Sequence, residues 1–256
     1  MRLDRYLSNM GLGSRKDVKK LLLSGEITVD GREIRDASYP LREGTETVCA
    51  RGREIAYRPF VYIMVNKPAG YISSTEDGSG PVVTELLGEE FRSYKLGVAG
   101  RLDKDAEGLL LLTNDGPFIH RIISPEKHIV KKYFTLLKKP VEERDIEAFK
   151  NGIVLRDGTR YKSALLVSVA SDDGFAALTC ITEGKFHQVK KMFAASGNEV
   201  LYLRRISIGG LGLDPALEKG AFRELGPEVA AAVFGPEYQP SADELAACGN
   251  QRRDQT

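Results

Sequence analysis

The chain has 256 residues, long enough for one large domain and a small one, and its 42% hydrophobic and 29% charged residues are typical of a globular protein. Thirty-seven basic residues against 36 acidic ones give a net charge of +1, so overall charge neither indicates nor excludes a nucleic-acid partner. The longest apolar runs are too short to span a bilayer, and the N-terminus lacks a signal-peptide core. Three scattered cysteines and three histidines favour neither disulfides nor a metal site. These features predict a cytoplasmic, metal-free protein.

The first fifty residues have the pattern of two helices followed by a hairpin. Apolar residues recur at helical spacing from Leu3 to Met10, and Ser14 is a good N-cap for a second helix, with Asp17 placed to complete a capping box. Stepping about 100° per residue along this second helix places four cations on the face opposite its apolar residues: Arg15, Lys16, Lys19 and Lys20. On a lone helix such a face is commonly just a solvated surface.

The segment "EITVDGREI" predicts a hairpin around Asp30-Gly31, a favoured type I′ turn pair. The whole string "RLDRYLSNMGLGSRKDVKKLLLSGEITVDGREI" resembles the S4 RNA-binding domain in its opening, its Gly-x-Gly-Ser-Arg turn, its basic second helix and its hairpin. We place this domain at residues 1–55. The resemblance implies that the basic helix, together with Arg2 and Arg5, binds RNA, and cations on one helix face would give a salt-sensitive, sequence-tolerant affinity.

After a short linker, residues 60–234 mix strands and helices irregularly. We predict strands in "VYIMVNKPAG", at Leu109–Thr113, in "IVKKYFTLL", on both sides of "DDG" and in "NEVLYLRRISI", and helices in "VEERDIEAFKNG", "KFHQVKKMFAASG" and "GPEVAAAVF". This mixture favours the α+β class with a mixed, mainly antiparallel sheet and flanking helices. Residues 235–256 are polar and aperiodic, which predicts a flexible tail. The run "GGLGLD" lacks the spacing of a dinucleotide-binding loop.

The string "GVAGRLDKDAEGLLLLTNDG" places Asp103 directly before a leucine-rich strand. Taken alone, such an aspartate is usually a helix-capping or turn residue. However, "GRLD" followed by Gly108 and the leucine strand resembles the catalytic motif of the pseudouridine synthases, and "VNKPAG" at 65–70 and "EGKFHQVKKMF" at 183–193 resemble that family's earlier and later motifs. The three motifs and the S4 domain together cover residues 1–234, and His-Gln-Val-Lys is most similar to the synthases of the small ribosomal subunit.

The resemblance implies a role for several residues. Pseudouridine formation breaks the C1′–N1 bond of uridine, rotates the uracil and rejoins it through C5 without an added cofactor or metal. Asp103 would be the catalytic carboxylate, acting on the base, on the ribose or in glycal formation. Tyr133 would stack on the extruded uracil or assist proton removal, and Arg101 would help to hold the target open.

Lys190 is predicted to border the apolar face of its helix, where a lysine can reach an interior carboxylate and favour its charged form. Lys191 points further outward in this prediction. The alternative is that Lys190 is merely solvated. Lys67 and Lys191 are expected to bind RNA, and a second basic patch is expected between 183 and 205, comprising Lys185, Lys190, Lys191, Arg204 and Arg205.

The resemblance implies site-specific isomerisation of one uridine, conventionally numbered 516, in the 16S rRNA of the small subunit or of its assembly intermediate. We expect a monomer without a membrane partner. Two alternatives remain: a 23S rRNA synthase with the same chemistry, and a non-catalytic S4 protein of RNA binding or ribosome assembly. Asp103 argues against the second, because phosphate binding gains nothing from a carboxylate. The chain departs from the family at Ala106, where Thr or Ser is common, and a lost hydroxyl would remove a hydrogen bond of about 1 kcal/mol.

Overall fold

The computed structural model describes residues 1–42, 44–55, 58–75, 80–92 and 94–250. Residues 249 and 250 are described by their backbone alone. The chain divides into two compact units. The first comprises residues 1–61 together with 87–96, and the second comprises 62–86 together with the chain from 97 onward. The expected boundary near residues 55–60 lies close to this division, whereas the assignment of 87–96 to the first unit has no counterpart in the sequence analysis.

The first unit packs two helices against a four-stranded antiparallel sheet. Its elements are α1 (Leu3–Asn9), α2 (Arg15–Leu23), β1 (Ile27–Val29), β2 (Arg32–Glu33), β3 (Val48–Ala50) and β4 (Arg53–Glu54), with a 3₁₀ helix at Glu89–Phe91 and strand order β2-β1-β3-β4. The predicted capping box at Ser14 is confirmed, since its hydroxyl accepts the Asp17 amide and the Asp17 carboxylate accepts the Ser14 amide. Asp30 and Gly31 both have positive φ, as a type I′ turn requires.

The apolar side of α2 faces the core of this unit. Val18 and Leu22 are fully buried and join Leu7, Ile27 and Val48 in one apolar cluster. Burying this stripe leaves the opposite side of the helix in solvent, and the four predicted cations on it are all exposed.

The second unit is built on a nine-stranded mixed sheet. Its strands are β5 (Tyr62–Lys67), β6 (Gly97–Val98), β7 (Glu107–Thr113), β8 (Lys131–Leu137), β11 (Leu165–Val169), β12 (Phe175–Ile181), β13 (Val200–Ile208), β14 (Leu211–Gly212) and β15 (Phe222–Leu225), with β9 (Ile153–Val154) and β10 (Arg160–Tyr161) paired separately. The helices are α3 (Gly116–Ile123), α4 (Glu143–Asn151), α5 (Gln188–Ala195), α6 (Pro227–Ala231) and α7 (Ala242–Asn250), and 3₁₀ helices lie at Val83–Leu86, Pro125–Lys127 and Ala232–Phe234. The strand order is β11-β12-β8-β13-β7-β5-β15, with β14 on β13 and β6 on β7. The predicted α+β class is confirmed.

The pairing of β7 with β13 is parallel, whereas the other described pairings of this sheet are antiparallel. All seven residues of β7 are buried, which explains its unbroken leucine run. The two strands approach closely at Gly108, whose φ is +98°, and a Cβ there would lie 2.3 Å from the carbonyl oxygen of Arg205. Only glycine fits this position, and the close approach holds the segment before β7 beside β13.

The segment after Gly235 is ordered as far as the description extends, contrary to the predicted flexible tail. α7 places Leu245 and Cys248 one turn apart, and both pack onto a cluster containing Phe134 and Tyr202. The apolar contacts are few and widely spaced in a polar sequence, which is why composition alone missed them. Residues 251–256 of the predicted tail lie outside the described residues. Among the helices that are described, none has the length and apolar character needed to cross a membrane.

Candidate active site

Asp103 lies in the loop that leads into β7, at the edge of an open cleft of about 380 Å³. Side chains from three separate segments line this cleft with it, among them Tyr133 on β8 and His187 just before α5. The carboxylate is 21% exposed, so it is partly shielded yet reachable from the cleft.

The backbone of this loop is held by buried cations. The Arg205 guanidinium donates to the carbonyls of Gly100 (2.8 Å), Arg101 (3.3 Å) and Leu109 (2.8 Å). Arg205 is 1% exposed, and each carbonyl therefore receives a charge-assisted hydrogen bond with little competition from water. The planar fork of arginine lets one side chain hold both ends of the loop.

Lys67 and Ser73 hold the middle of the same loop. The Lys67 ammonium donates to the carbonyls of Ala106 (2.7 Å) and Lys104 (3.2 Å), and the Ser73 hydroxyl both donates to and accepts from the backbone of Leu102. The main chain is thus fixed on both sides of Asp103, while its carboxylate is left to the cleft. Such a fixed backbone positions a reacting group without further ordering.

The predicted RNA-binding role of Lys67 is wrong. Its side chain is fully buried, and burial lowers its pKa to about 8. An ammonium enclosed in this way cannot meet a phosphate. The same correction applies to Arg204 and Arg205 of the expected second patch, which are 5% and 1% exposed. All three lie on strands in which the neighbouring residues are buried. For Arg204 and Arg205, the apolar residues around them in "LYLRRISI" were the signal in the sequence that indicated burial.

Two basic side chains lie beside the Asp103 carboxylate. Lys190 Nζ is 3.6 Å from Oδ2, and His187 Nε2 is 3.6 Å from Oδ1. Lys190 also makes a shorter contact of 2.5 Å with Asp105. Partial burial alone would raise the pKa of Asp105, but the hydrogen bond and charge of Lys190 outweigh it, and the pKa falls below its usual value. Helical periodicity predicts this position for Lys190, whereas no feature of the sequence pattern predicts the positions of His187 and Asp105.

The turn before α5 aims these residues into the cleft. α5 begins at Gln188, later than the helix predicted in "KFHQVKKMFAASG", because His187 adopts the left-handed conformation with φ of 52°. The buried carboxylate of Glu183 accepts the Gln188 side-chain amide at 2.9 Å, and the Gln188 oxygen accepts the Lys185 amide at 3.1 Å. The unusual His187 backbone is therefore braced from both sides.

Tyr133 forms a wall of the cleft. It is 6% exposed, its hydroxyl lies 3.5 Å from Arg205 Nη1, and the Arg205 guanidinium carbon is 6.0 Å from its ring centroid. Ala106, where the family commonly has a hydroxyl, is fully buried, and its amide donates to the Asp103 carbonyl at 3.1 Å. That turn is closed by backbone groups without a side-chain hydroxyl.

The remaining predicted residues are at the surface. Arg101 is exposed at the cleft, although its carbonyl is held by Arg205. Lys191 is half-buried, with its ammonium 5.1 Å from the Phe186 ring centroid. In the first unit Arg5 is exposed, and Arg2 is exposed and paired with Asp4 at 2.9 Å.

Comparison with known proteins identifies the family. The model of RNA pseudouridylate synthases matches residues 61–195, which include Asp103 and most of the residues that line the cleft, and the S4 domain model matches residues 1–46. The chain belongs to the RNA pseudouridine synthase family. It is 44% identical to an uncharacterized RNA pseudouridine synthase, YtzG, of Bacillus subtilis, over 89% of this chain and 96% of the relative. It is 41% identical to the ribosomal small subunit pseudouridine synthase A of Vibrio cholerae, over 91% of this chain and all of the relative.

A solved structure supports the same assignment. A crystal structure of a pseudouridylate synthase superposes with a TM-score of 0.62 at 33% identity, covering 91% of this chain and 99% of the other. As an RNA pseudouridine synthase, the enzyme must break the C1′–N1 bond and join C1′ to C5, while N1 ends with a proton and C5 loses one. A carboxylate beside a lysine ammonium can serve as the nucleophile or stabilise positive charge at C1′.

Proposed function

We propose that this enzyme converts one uridine of the small-subunit (16S) rRNA to pseudouridine, the uridine conventionally numbered 516, with Asp103 as the catalytic carboxylate. The identity to small-subunit synthases over nine-tenths of the chain supports the choice of RNA. We propose that the reaction takes place in the cytoplasm, on the rRNA or on an assembling subunit.

The observation that carries the proposal is a reachable carboxylate, Asp103, that lines the cleft between basic side chains. Asp103 is flanked by Lys190 and His187 at 3.6 Å each, and its backbone is fixed by buried donors. A carboxylate that only balanced charge would gain nothing from such fixation. A nucleophile gains the orientation that lets it meet the sugar–base junction of one nucleotide.

The other predicted residues take supporting roles in this proposal. Tyr133 offers its ring to the uracil and its hydroxyl to proton removal at C5, and the contact with Arg205 keeps that hydroxyl in place. Lys190 places a positive charge 3.6 Å from the Asp103 carboxylate. Arg101, exposed at the cleft, helps to keep the target nucleotide out of its helix. Unstacking and extruding a base costs a few kcal/mol.

The first unit supplies affinity in this proposal. The exposed cations of α2 lie on one face of a helix whose other face is buried, so they can neutralise phosphates without rearrangement: Arg15, Lys16, Lys19 and Lys20. Contacts of this kind offset the cost of extruding the uridine and leave the choice of site to the second unit.

Mapping the product tests the proposal. The wild type, Asp103→Asn and Asp105→Asn are incubated separately with transcripts of small- and large-subunit rRNA, and pseudouridine is located by primer extension after carbodiimide treatment. Asp105→Asn is the matched control, because it removes a carboxylate from the same loop. We expect one new stop in the small-subunit transcript with the wild type and the control, and none with Asp103→Asn.

Each other outcome contradicts a named part of the proposal. A stop confined to large-subunit RNA would leave the chemistry standing and refute the substrate. The absence of a stop despite RNA binding would favour a non-catalytic RNA-binding protein. A stop with Asp103→Asn would remove Asp103 from the catalytic role.

A further inference from the structure

Phe186 is the large apolar side chain with the highest exposure reported for the described residues, with 72% of its surface in solvent. It lies between Lys185 and His187, both of which line the cleft that holds Asp103. Leaving a phenyl ring in water forgoes the burial that would stabilise the fold, so its place beside the reactive cleft calls for a reason.

The ring is layered on an aromatic neighbour. The Phe186 and His187 rings stack with centroids 3.8 Å apart and planes inclined by 20°. His187 in turn faces Asp103, so the two rings form a short stack that leads from the carboxylate outward. The exposure of Phe186 leaves most of the outer ring open for another flat group.

Positive charge surrounds this ring. Lys191 Nζ lies 5.1 Å from the Phe186 centroid, and Lys185 and Lys190 flank the same turn. Residues 184–195 contain no acidic side chain. An exposed aromatic ring with one ammonium group over it matches a nucleotide, since a base can take the place of that ammonium on the ring while the phosphate meets a lysine.

The stack is also held rigidly. Gln188 links the buried Glu183 to the Lys185 amide, and the Lys185 ammonium donates to the carbonyl of Arg160. Because the turn is already ordered, stacking a base on Phe186 costs little additional entropy of the protein.

We propose that Phe186 is a stacking platform for an unpaired nucleotide that flanks the uridine entering the cleft. The reacting uracil itself has Tyr133, which is 6% exposed inside the cleft, whereas Phe186 is open at its rim. The platform therefore binds a neighbouring base and restricts the enzyme to uridines whose neighbour is free to unstack. This inference rests on the proposed function in that the ligand is the RNA that carries the target uridine.

Kinetics of three variants provide the first test. Phe186→Leu keeps an apolar side chain without an aromatic face, Phe186→Tyr keeps the face, and Phe175→Leu is a matched control at an exposed phenylalanine that is 49% accessible. Phe175 begins β12, about 20 Å along that strand from Ile181, which lines the cleft. Loss of one base–aromatic stack corresponds to about a five- to 150-fold fall in kcat/KM.

We expect that fall for Phe186→Leu on the small-subunit transcript, and values within twofold of the wild type for Phe186→Tyr and Phe175→Leu. Transcripts with an abasic residue on either side of the target locate the partner base. On the transcript that lacks the stacked base, kcat/KM of the wild type should fall to the value that Phe186→Leu has on the intact transcript. Phe186→Leu should show no further loss on that abasic transcript. Additive losses at both flanking positions, or an unaffected Phe186→Leu, would overturn the proposal.

Fluorescence provides a second test that does not depend on turnover. The chain contains no tryptophan, so Phe186→Trp in an Asp103→Asn background introduces a single reporter, and Phe175→Trp is its control. We expect quenching by the small-subunit transcript at 186 and not at 175. Filter binding without quenching at 186 refutes the platform. Quenching at 186 in the Phe186→Trp variant, together with no pseudouridine formation by the wild type, would instead refute the proposed function and leave the platform standing.

Discussion

The basic residues of the two units illustrate opposite uses of positive charge. On α2 of the first unit the cations are exposed, and the one described partner among them is a 3.9 Å contact between Lys20 and Asp17. In the second unit Lys67 and Arg205 are enclosed and donate to backbone carbonyls of the Asp103 loop. The exposed group can exchange water for phosphate, whereas the enclosed group already has its partners.

This difference shows what a basic residue in a motif can mean. Lys67 lies in "VNKPAG" and Arg205 in the basic patch expected between 183 and 205, and by residue type alone both would be assigned to RNA. Their surroundings assign them to the protein itself. A buried cation that bonds to carbonyls shapes a loop, and its loss should affect folding and catalysis together. An exposed cation should affect affinity and its dependence on salt.

Replacing Arg205 should break the enclosed group most severely. Arg205→Met leaves three carbonyls without their donor, at a cost of about 1–3 kcal/mol for each one that water cannot reach. We expect the free energy of unfolding to fall by about 3 kcal/mol and pseudouridine formation to fall at least 100-fold. Urea unfolding and product mapping measure the two effects.

The control for this prediction is Arg223→Met, which removes an exposed arginine paired with Asp214. Exposed ion pairs contribute little, so we expect a change below about 1 kcal/mol. If Arg205→Met were as stable and as active as this control, the loop would not depend on the buried guanidinium.

Lys190 is intermediate between the exposed and the enclosed cations, since its side chain is 24% exposed and contacts Asp103 and Asp105. Lys190→Met should leave folding intact and reduce turnover by at least 100-fold, equivalent to about 2.7 kcal/mol, because the Asp103 carboxylate loses the positive charge beside it. Single-turnover kinetics with saturating RNA separate this loss from weaker binding.

The matched variant is Lys138→Met, which removes an exposed lysine of an ion pair away from the cleft. Its ammonium lies 2.8 Å from Glu199, and no contact with Asp103 is described. We expect it to alter turnover by less than fivefold. Full turnover by Lys190→Met would refute the pairing with Asp103.

Several local features of the fold, and the position of Lys190 in the site, could be predicted from the sequence, because each is determined by residues close to it in the chain. The capping box at Ser14, the turn at Asp30-Gly31 and the leucine run before Thr113 each depend on near neighbours. The border position of Lys190 also follows from helical periodicity within a few residues.

The errors arise where distant segments decide. The burial of Lys67 depends on the carbonyls of a loop nearly forty residues later, and that of Arg205 on a parallel pairing with β7. The contact between His187 and Asp103 requires a left-handed residue that ends the predicted helix early. Periodicity carries no information on any of these three contacts.

A pH titration of stability can sharpen the distinction between enclosed and exposed cations. Lys131 is 5% exposed, and burial, assisted by the charge of Arg205, lowers its pKa to about 8. In the unfolded chain the pKa is about 10.4, so between these values the unfolded state binds more protons. Raising the pH through this window should therefore stabilise the wild type relative to Lys131→Met, by up to about 1.4 kcal/mol per pH unit.

Urea unfolding of both proteins at pH 7.5, 8.5 and 9.5 measures this difference. Taking the difference between the two proteins cancels opposing contributions from other groups, such as the Cys180 thiol, whose pKa burial raises to about 11. A difference that stays constant across this range would mean that the Lys131 ammonium is hydrated in solution.

The smallest effects are expected on α2, where each substitution removes one phosphate contact and no packing. Lys16→Gln and Lys19→Gln should leave the unfolding free energy within about 0.5 kcal/mol and weaken RNA binding only a few-fold near 100 mM salt. The diagnostic quantity is the salt dependence, because each lost contact reduces the slope of log K against log salt by about 0.7–0.9. Arg53→Gln, at an exposed arginine on β4, is the control and should leave the slope unchanged. If Lys16→Gln and Lys19→Gln both kept the wild-type slope, as Arg53→Gln should, the exposed face of α2 would be a solvated surface. The exposed cations would then have no role in RNA binding to set against the structural role of the enclosed ones.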